Sequence, residues 1–227
     1  MVEINSCFQH LKRTYIFSLI EEKIETLCKK ISPNQMINLS IGDIVLPLIP
    51  SAVQAMSQAV LKMGTSSGLK GYGTSNGYLF LREAIANTYF TALQITPDEI
   101  FISDGINTDI TNILDLFSPS CSVGVPDPTY PAYLDAAILS GRTKIMTLPC
   151  LEANQFHPYP PSKACDLIYL CSPNNPTGVA MNRDLLTTWV NYALKHKAVI
   201  FFDHAYEAFI SSVDVPRSIF EIPGAKE

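Results

Sequence analysis

From residue 97 onward, short apolar runs alternate with stretches of helical spacing, and this alternation constrains the fold more than any other feature. The runs are strand-like because they are short, rich in β-branched or aromatic residues, and bounded by proline or polar residues. They cover 99–102, 121–125, 144–148, 166–170 and 198–202. The predicted helices cover 108–117, 132–139 and 183–195. This alternation predicts an α/β fold with three layers, a mainly parallel sheet with helices on both faces.

The first 96 residues have a less regular pattern. Apolar residues recur at helical spacing from Phe8 to Lys30, which indicates an amphipathic helix or a helix pair. The run Met36–Ile41 alternates like a strand, and helices are predicted from Pro50 to about Met63 and over 78–90. The glycine-dense loop Gly68–Gly77 fits neither a dinucleotide fingerprint nor a P-loop, so it is equally compatible with a flexible surface loop and with a functional one.

Charge and cysteine content exclude several classes of function. The net charge of -5, without a cluster of basic residues, argues against nucleic-acid binding. The six cysteines are dispersed without a C-x-x-C pair, and the histidines have no ligand spacing, so we expect reduced core thiols and no metal site. The sequence has no signal peptide and no apolar run long enough to cross a bilayer, so we expect a cytoplasmic protein without membrane contact.

Polar segments follow four of the predicted strands. They are Ser103–Asn107, Asp127–Tyr133, Cys171–Gly178 and Asp203–Tyr206. In open α/β sheets the carboxyl ends of the strands meet at one edge, where ligands bind. Together the segments offer a helix N-terminus for an anion, an aromatic face, an amide donor, and a carboxylate with a nearby phenol. Pyridoxal phosphate requires this set of groups, although each residue alone could instead be a core aromatic or a helix cap.

Four motifs in this order resemble the large domain of the class I and II pyridoxal-phosphate aminotransferases. They are Tyr72 with Gly77 and Leu81-Arg82, Pro128-x-Tyr130-x-x-Tyr133, Asn174-Asn-Pro-Thr-Gly178, and Asp203-x-Ala-Tyr206. Further segments resemble the LL-diaminopimelate aminotransferase branch of that family. These are 38–43, 70–73, 127–135 and 218–225. The resemblance implies that residues 1–48 form a helical arm with part of a small domain, and that residues 49–227 form the cofactor-binding large domain.

The resemblance implies roles for four residues around the cofactor ring. Tyr130 would stack on the ring, and Asp203 would pair with the protonated ring nitrogen. Asn175 and Tyr206 would bind the phenolic oxygen through hydrogen bonds. A carboxylate beside the ring nitrogen keeps that nitrogen protonated, so that the ring can accept electrons from the substrate.

Five further residues acquire roles from the same resemblance. Ile106 and Asn107 would present the phosphate site at the start of their helix. Tyr72 would reach the phosphate held by the partner subunit of a homodimer. Tyr15 and Gly42 would line the pocket for amino-acid and 2-oxo-acid substrates. The implied reaction transfers an amino group between LL-diaminopimelate and 2-oxoglutarate, in the synthesis of lysine and cell-wall precursors.

The sequence departs from the family pattern in three respects. The lysine of a Ser-x-Ser-Lys segment, which binds the cofactor covalently, has no counterpart in the 227 residues, and neither has the C-terminal small domain, so we expect this chain alone to be inactive. Asn107 stands where the branch usually has lysine, which should weaken cofactor binding by about 1–2 kcal/mol. His204 stands where that branch usually has alanine. The alternative to an aminotransferase is a truncated, non-catalytic remnant that binds the cofactor weakly or serves only as an interaction module. A nucleotide-binding module is disfavoured, because the glycine fingerprints of such modules are absent.

Overall fold

The computed structural model of the chain describes residues 2–11, 16–40, 42 and 44–227. These residues form two compact units, Met1–Leu11 with Asn76–Glu227, and Lys12–Ser75. The predicted boundary after residue 48 lies within the second unit, and the division into 1–48 and 49–227 stays a prediction. Over the described part of the chain, none of the helices is both long and apolar enough to span a membrane.

The larger unit is built on a parallel sheet of four strands. These are β1 (Val123–Asp127), β2 (Ile145–Pro149), β3 (Leu167–Cys171) and β4 (Val199–Asp203). Their order is β2-β1-β3-β4, and every neighbouring pair is parallel. At the carboxyl ends, Asp127 lies opposite Pro149 and Cys171 lies opposite Asp203. The predicted parallel sheet is therefore confirmed, and its loops leave from one edge.

The described helices match the predicted ones closely from Pro50 onward. They are α1 (Ile16–Cys28), α2 (Pro50–Met63), α3 (Leu79–Tyr89), α4 (Ile106–Asn112), α5 (Ala132–Leu139) and α6 (Arg183–His196). Short 3-10 turns cover Ser6–His10, Pro33–Gln35, Thr91–Leu93, Pro97–Glu99, Ile113–Leu116, Glu152–Asn154, Glu207–Phe209 and Ile219–Glu221.

The central strand β3 packs apolar side chains on both faces of the sheet. Leu167, Tyr169 and Cys171 belong to the core shared with α4 and α5. Ile168 and Leu170 belong to the core shared with α6. Because successive strand residues point to opposite faces, a continuous apolar run is what a strand covered on both sides requires. The three-layer architecture predicted from the alternation is confirmed.

Helix α6 covers one face because its sequence is amphipathic and well capped. The Asn182 side chain accepts a hydrogen bond from the Leu185 N–H at 2.9 Å, which satisfies one free donor of the first turn. Leu186 and Trp189 are completely buried against the sheet, and the Trp189 indole donates to the Pro158 carbonyl at 3.0 Å. Burying such large side chains contributes about 2–3 kcal/mol each.

Two predicted strands are wrong. Among the described residues of 36–41, none is in a strand. Residues 99–102 also lie outside any strand, because Pro97–Glu99 close a 3-10 turn in which the Thr96 N–H donates to the Glu99 carboxylate at 2.8 Å. The capping residues take Glu99 out of the extended conformation, and the following Ile102 N–H donates to the Asn76 carbonyl at 3.1 Å.

Gly77 and Arg82, which belong to the first motif, have structural roles. Gly77 has φ +99°, and a Cβ there would lie 2.6 Å from Ile102 Cγ1, so only glycine fits without displacement. Arg82 is buried and donates to the Gly77 carbonyl at 3.2 Å and to the Pro97 carbonyl at 2.6 Å. This part of the motif therefore shapes the loop ahead of α3.

Arg142 fixes the end of the helical segment that begins with α4. Its guanidinium is buried and donates to the carbonyls of Leu114 at 2.6 Å and Phe117 at 2.9 Å, and to the Ser140 hydroxyl at 2.7 Å. These carbonyls lie at the end of the 3-10 turn that follows α4, where the Leu114 carbonyl also accepts the Phe117 N–H at 3.1 Å. The position of α4 against the sheet therefore depends on a buried charge.

We expect Arg142→Met to lower the free energy of unfolding by about 2–4 kcal/mol, because it removes three hydrogen bonds of a buried guanidinium and takes this donor from the Phe117 carbonyl. Arg183→Met is the matched control, since Arg183 pairs with Glu221 at the surface, and this change should cost about 0.5 kcal/mol. Urea denaturation of both variants measures the difference. Equal losses would contradict the role assigned to Arg142.

Candidate functional site

The candidate site lies at the carboxyl edge of the sheet, where three loops and one strand end meet. Asp203 is the last residue of β4, and the turn after β3 begins beside it, since the Ser172 N–H donates to the Asp203 carbonyl at 3.0 Å. The loop after β1 joins the same region through the Tyr133 hydroxyl. Parallel register alone brings these segments together, as the strand pattern predicted.

Both oxygens of the half-buried Asp203 carboxylate are engaged. Oδ2 accepts a hydrogen bond from the Tyr133 hydroxyl at 2.6 Å, and Oδ1 accepts one from the Ala205 N–H at 3.0 Å. Each oxygen can still accept a further hydrogen bond, because an ionised carboxylate has about four acceptor positions. The carboxylate is therefore held in one orientation and can still pair with a cationic or N–H group.

Tyr133 is completely buried beneath the site, at the start of α5. Its ring stacks on Tyr169 with centroids 4.8 Å apart, and Tyr130 meets it edge to face at 5.8 Å. Burial first, and then the neighbouring Cys171 and Asp203, raise the pKa of Tyr133 far above that of a free phenol. The hydroxyl is therefore a permanent donor. Tyr133 belongs to the same sequence motif as Tyr130, but the sequence analysis assigned no role to Tyr133.

Asn175 and Tyr206 lie side by side, as expected from their places after β3 and β4. The Asn175 amide donates to the Tyr206 hydroxyl at 3.5 Å. Asn175 is half-buried, whereas Tyr206 is 40% exposed. The amide has a second N–H and the phenol has its own O–H, so the pair can donate two hydrogen bonds to one ligand oxygen.

Asn174 is a functional residue that the sequence interpretation missed. It is buried, and its amide donates to the Pro128 carbonyl at 3.2 Å and the Thr177 hydroxyl at 2.9 Å. Its carbonyl accepts from the Thr129 hydroxyl at 3.2 Å. Asn174 therefore ties the loop that carries Tyr130 to the turn that carries Asn175. The signal was the asparagine pair itself, in which one side chain can serve the turn and the other a ligand.

Helix α4 presents its N-terminus toward solvent. Ile106 is 47% exposed and Asn107 is exposed. The hydrogen bonds to the Gly105 carbonyl come from Thr108 at 3.1 Å and Asp109 at 3.2 Å, so the N–H groups of Ile106 and Asn107 precede the helical ladder. Such N–H groups suit an anion.

Three of the predicted site residues belong to the smaller unit. Tyr72 is fully exposed, and Gly42 is exposed with no atom within 4 Å of where a Cβ would stand. Tyr15 lies outside the described residues. The roles of all three stay predictions.

His204 lies away from the Asp203 carboxylate, beside a cavity of about 700 Å³ along β4. Phe90 and Phe202 are its ring neighbours, with centroids 6.4 and 6.1 Å away. The cavity is lined by apolar and charged residues but by none of Asp203, Asn175 and Tyr206, so we assign the chemistry to the carboxyl edge instead. In the part of the chain described, no group of three or more histidine, cysteine, aspartate or glutamate side chains is arranged to hold a metal ion.

A parallel sheet with helices on both faces, and a fixed carboxylate, amide and phenol at its carboxyl edge, defines an α/β protein with a strand-end ligand site. The family description "Aminotransferase class I and II" matches residues 34–224, and the chain belongs to this family. Members of the family depend on pyridoxal phosphate.

Relatives and solved structures agree with this assignment. The chain is 44% identical to LL-diaminopimelate aminotransferase of Lawsonia intracellularis and 42% identical to that of Desulfosudis oleivorans, in each case over its whole length. It is similar to the structure of L,L-diaminopimelate aminotransferase from Chlamydomonas reinhardtii, with a TM-score of 0.91 and 38% identity over the whole chain. The chain spans 58% of the length of each of these three proteins.

We expect Asn174→Ala to lower the free energy of unfolding by about 2 kcal/mol, because it leaves the half-buried Pro128 carbonyl and the Thr129 hydroxyl without their partner. Asn191→Ala, at an exposed position on α6, is the control and should change stability by less than about 0.5 kcal/mol. Thermal and urea unfolding provide the comparison. A loss no larger than that of the control would show that Asn174 does not hold the two loops.

Proposed function

We propose that this chain forms the cofactor-binding part of a pyridoxal-phosphate aminotransferase that acts on LL-diaminopimelate. The observation that carries the proposal is the meeting of Asp203, Asn175 and Tyr206 at one sheet edge, with Tyr130 in the adjoining loop. Each residue has an ordinary structural explanation by itself. Their convergence on one edge favours a single ligand with matching groups.

The donor set fits pyridoxal phosphate. An acceptor-only carboxylate suits a protonated ring nitrogen, an amide with a phenol suits the phenolic oxygen, and an aromatic side chain suits a flat ring. When bound, the cofactor supplies a protonated pyridine ring that draws electrons from the substrate carbon bearing the amino group.

The residues of this chain would bind and orient that ring. Asp203 would hold the proton on the ring nitrogen, and its two existing hydrogen bonds keep the carboxylate from turning away. Asn175 and Tyr206 would donate to the phenolic oxygen. Groups fixed before the ligand arrives bind it with less loss of conformational entropy.

The start of α4 would hold the phosphate. The free N–H groups of Ile106 and Asn107 are suitable donors, and the positive end of the helix favours an anion. Asn107 contributes an amide and no charge. The site therefore relies on backbone donors, and we expect modest affinity for the phosphate.

The names of the relatives and the exposed surface support proposals for the substrates and the assembly. The proteins 41–44% identical to this chain are named for LL-diaminopimelate, which supports this amino donor. We propose 2-oxoglutarate as the acceptor. Tyr15 and Gly42 would line the substrate pocket. A homodimer, in which Tyr72 reaches the cofactor phosphate of the partner subunit, is supported by the full exposure of Tyr72 and by the 68% exposure of the neighbouring apolar Leu69.

The lysines described in the larger unit lie away from the proposed ring site. Lys144, Lys163, Lys195 and Lys197 precede strands, at the opposite edge of the sheet. Lys226 donates to the Gln94 carbonyl and the Glu99 carboxylate, each at 3.4 Å. We therefore expect these 227 residues by themselves to bind the cofactor reversibly and to show no turnover.

Replacement of the carboxylate tests the cofactor site. We expect Asp203→Ala to weaken pyridoxal-phosphate binding to the 227-residue chain by about 10- to 100-fold, since a charge-assisted hydrogen bond is worth about 1.5–3 kcal/mol. Equilibrium dialysis gives the affinity, and Asp214→Ala, at an exposed position, is the control. Equal affinities of wild type and Asp203→Ala would contradict the proposed ring site.

Activity tests the substrate assignment. We expect the protein purified from its own cells to transfer an amino group from LL-diaminopimelate to 2-oxoglutarate, with aspartate as the comparison donor. Its intact mass is compared with the 25.0 kDa of these 227 residues, because turnover should require a longer polypeptide. Faster transfer from aspartate would count against this substrate assignment, and turnover by the 227-residue chain alone would contradict its expected inactivity.

A further inference from the structure

Tyr133 joins the two parts of the site that must be aligned with each other. Its hydroxyl donates to Asp203 at 2.6 Å, while its ring meets the edge of Tyr130 at 5.8 Å. Tyr130 would be the stacking surface and Asp203 the partner of the ring nitrogen. Tyr133 is therefore a buried side chain that contacts both groups.

The hydroxyl of Tyr133 has a specific purpose at this position. The residue is 0% exposed, and stacking on Tyr169, with the ring planes only 6° apart, leaves the ring no room to turn. Phenylalanine would fill the same volume, and a hydroxyl is costly to bury unless it has a partner. Here the partner is a carboxylate, which gives a short and strong hydrogen bond.

The hydroxyl also stays protonated under ordinary conditions. Burial, together with Cys171 and Asp203 nearby, raises the pKa of Tyr133 well beyond its usual value. The hydroxyl therefore remains a donor to Asp203 at neutral pH, and adds no negative charge to the site.

We propose that Tyr133 is a positioning residue that fixes the Asp203 carboxylate relative to the Tyr130 ring, and so sets the geometry into which a protonated aromatic ligand fits. The proposal rests on the proposed function as far as the ligand is concerned. The contact between Tyr133 and Asp203 can be tested without any ligand. The two parts of the experiment separate these claims.

The first part uses the ligand-free chain and Tyr133→Phe. We expect the carboxyl ¹³C resonance of Asp203, assigned with Asp203→Asn, to shift in Tyr133→Phe. The control is Tyr192→Phe, because Tyr192 is also buried and donates a hydrogen bond of 2.6 Å, but to the Lys163 carbonyl on the other face of the sheet. An unchanged Asp203 resonance in Tyr133→Phe, or an equal shift in Tyr192→Phe, overturns the proposal.

If Tyr133→Phe fails to fold, the wild-type chain answers the same question. A buried hydroxyl that donates to a carboxylate exchanges slowly with water, and its proton resonates far downfield. We expect such a signal from Tyr133, and we expect it to move upfield in Asp203→Ala, which keeps the tyrosine. Its absence in wild type, or an unchanged position in Asp203→Ala, overturns the proposal.

The second part adds pyridoxal phosphate labelled with ¹⁵N in the ring. We expect Tyr133→Phe to weaken binding about tenfold, or about 1.4 kcal/mol, and to move the ring-nitrogen resonance toward its unprotonated position. Tyr192→Phe should change neither quantity. An unaltered nitrogen resonance in Tyr133→Phe overturns the proposal. If the wild-type chain binds no pyridoxal phosphate, the proposed function fails, while the ¹³C measurement still decides whether Tyr133 holds Asp203.

Discussion

In the pairing of β3 with β4, Cys171 lies opposite Asp203, and the candidate site depends on this register. The pairing brings the turn with Asn174 and Asn175 beside the carboxylate at the end of β4. A slip of one residue would turn the side chains of β4 to the opposite face, so that Asp203 would no longer meet the Tyr133 hydroxyl. In the observed register, Phe201 packs against the core of α4 and α5, and Phe202 packs against the core of α6.

Buried polar side chains then convert a sheet edge into a rigid site. Asn174 joins two loops, Arg142 holds the end of the segment after α4, and Tyr133 holds Asp203. Each group would be costly to bury without partners, so the loops are stable only in the arrangement that satisfies it. The groups that face the ligand are consequently supported by a second set of residues that do not touch it.

The sequence pattern predicted most strands and helices of the larger unit, because its strands are mainly apolar and end at polar or proline residues. It failed at Met36–Ile41, of which the described part is not a strand, and at 99–102, where the capping box of Thr96 and Glu99 closes a turn. Alternation of side chains is a weak signal where the backbone has another way to satisfy its hydrogen bonds. In the site, Asp203, Asn175 and Tyr206 were identified from their positions after strands, whereas Tyr133 and Asn174 were not assigned roles. Their partners are distant in sequence, so only packing reveals them.

The sequence by itself determined the parallel α/β fold, the edge at which the polar residues gather, and the family to which the chain belongs. Periodicity and strand-end motifs are local properties, and local properties can be read along the chain. Only the tertiary structure decided that Tyr133 donates to Asp203, that Asn174 bridges two loops, and that His204 lies beside the cavity along β4 and away from the carboxylate. These contacts join residues up to 70 positions apart, and their geometry is set by which buried groups can satisfy one another once the sheet has formed.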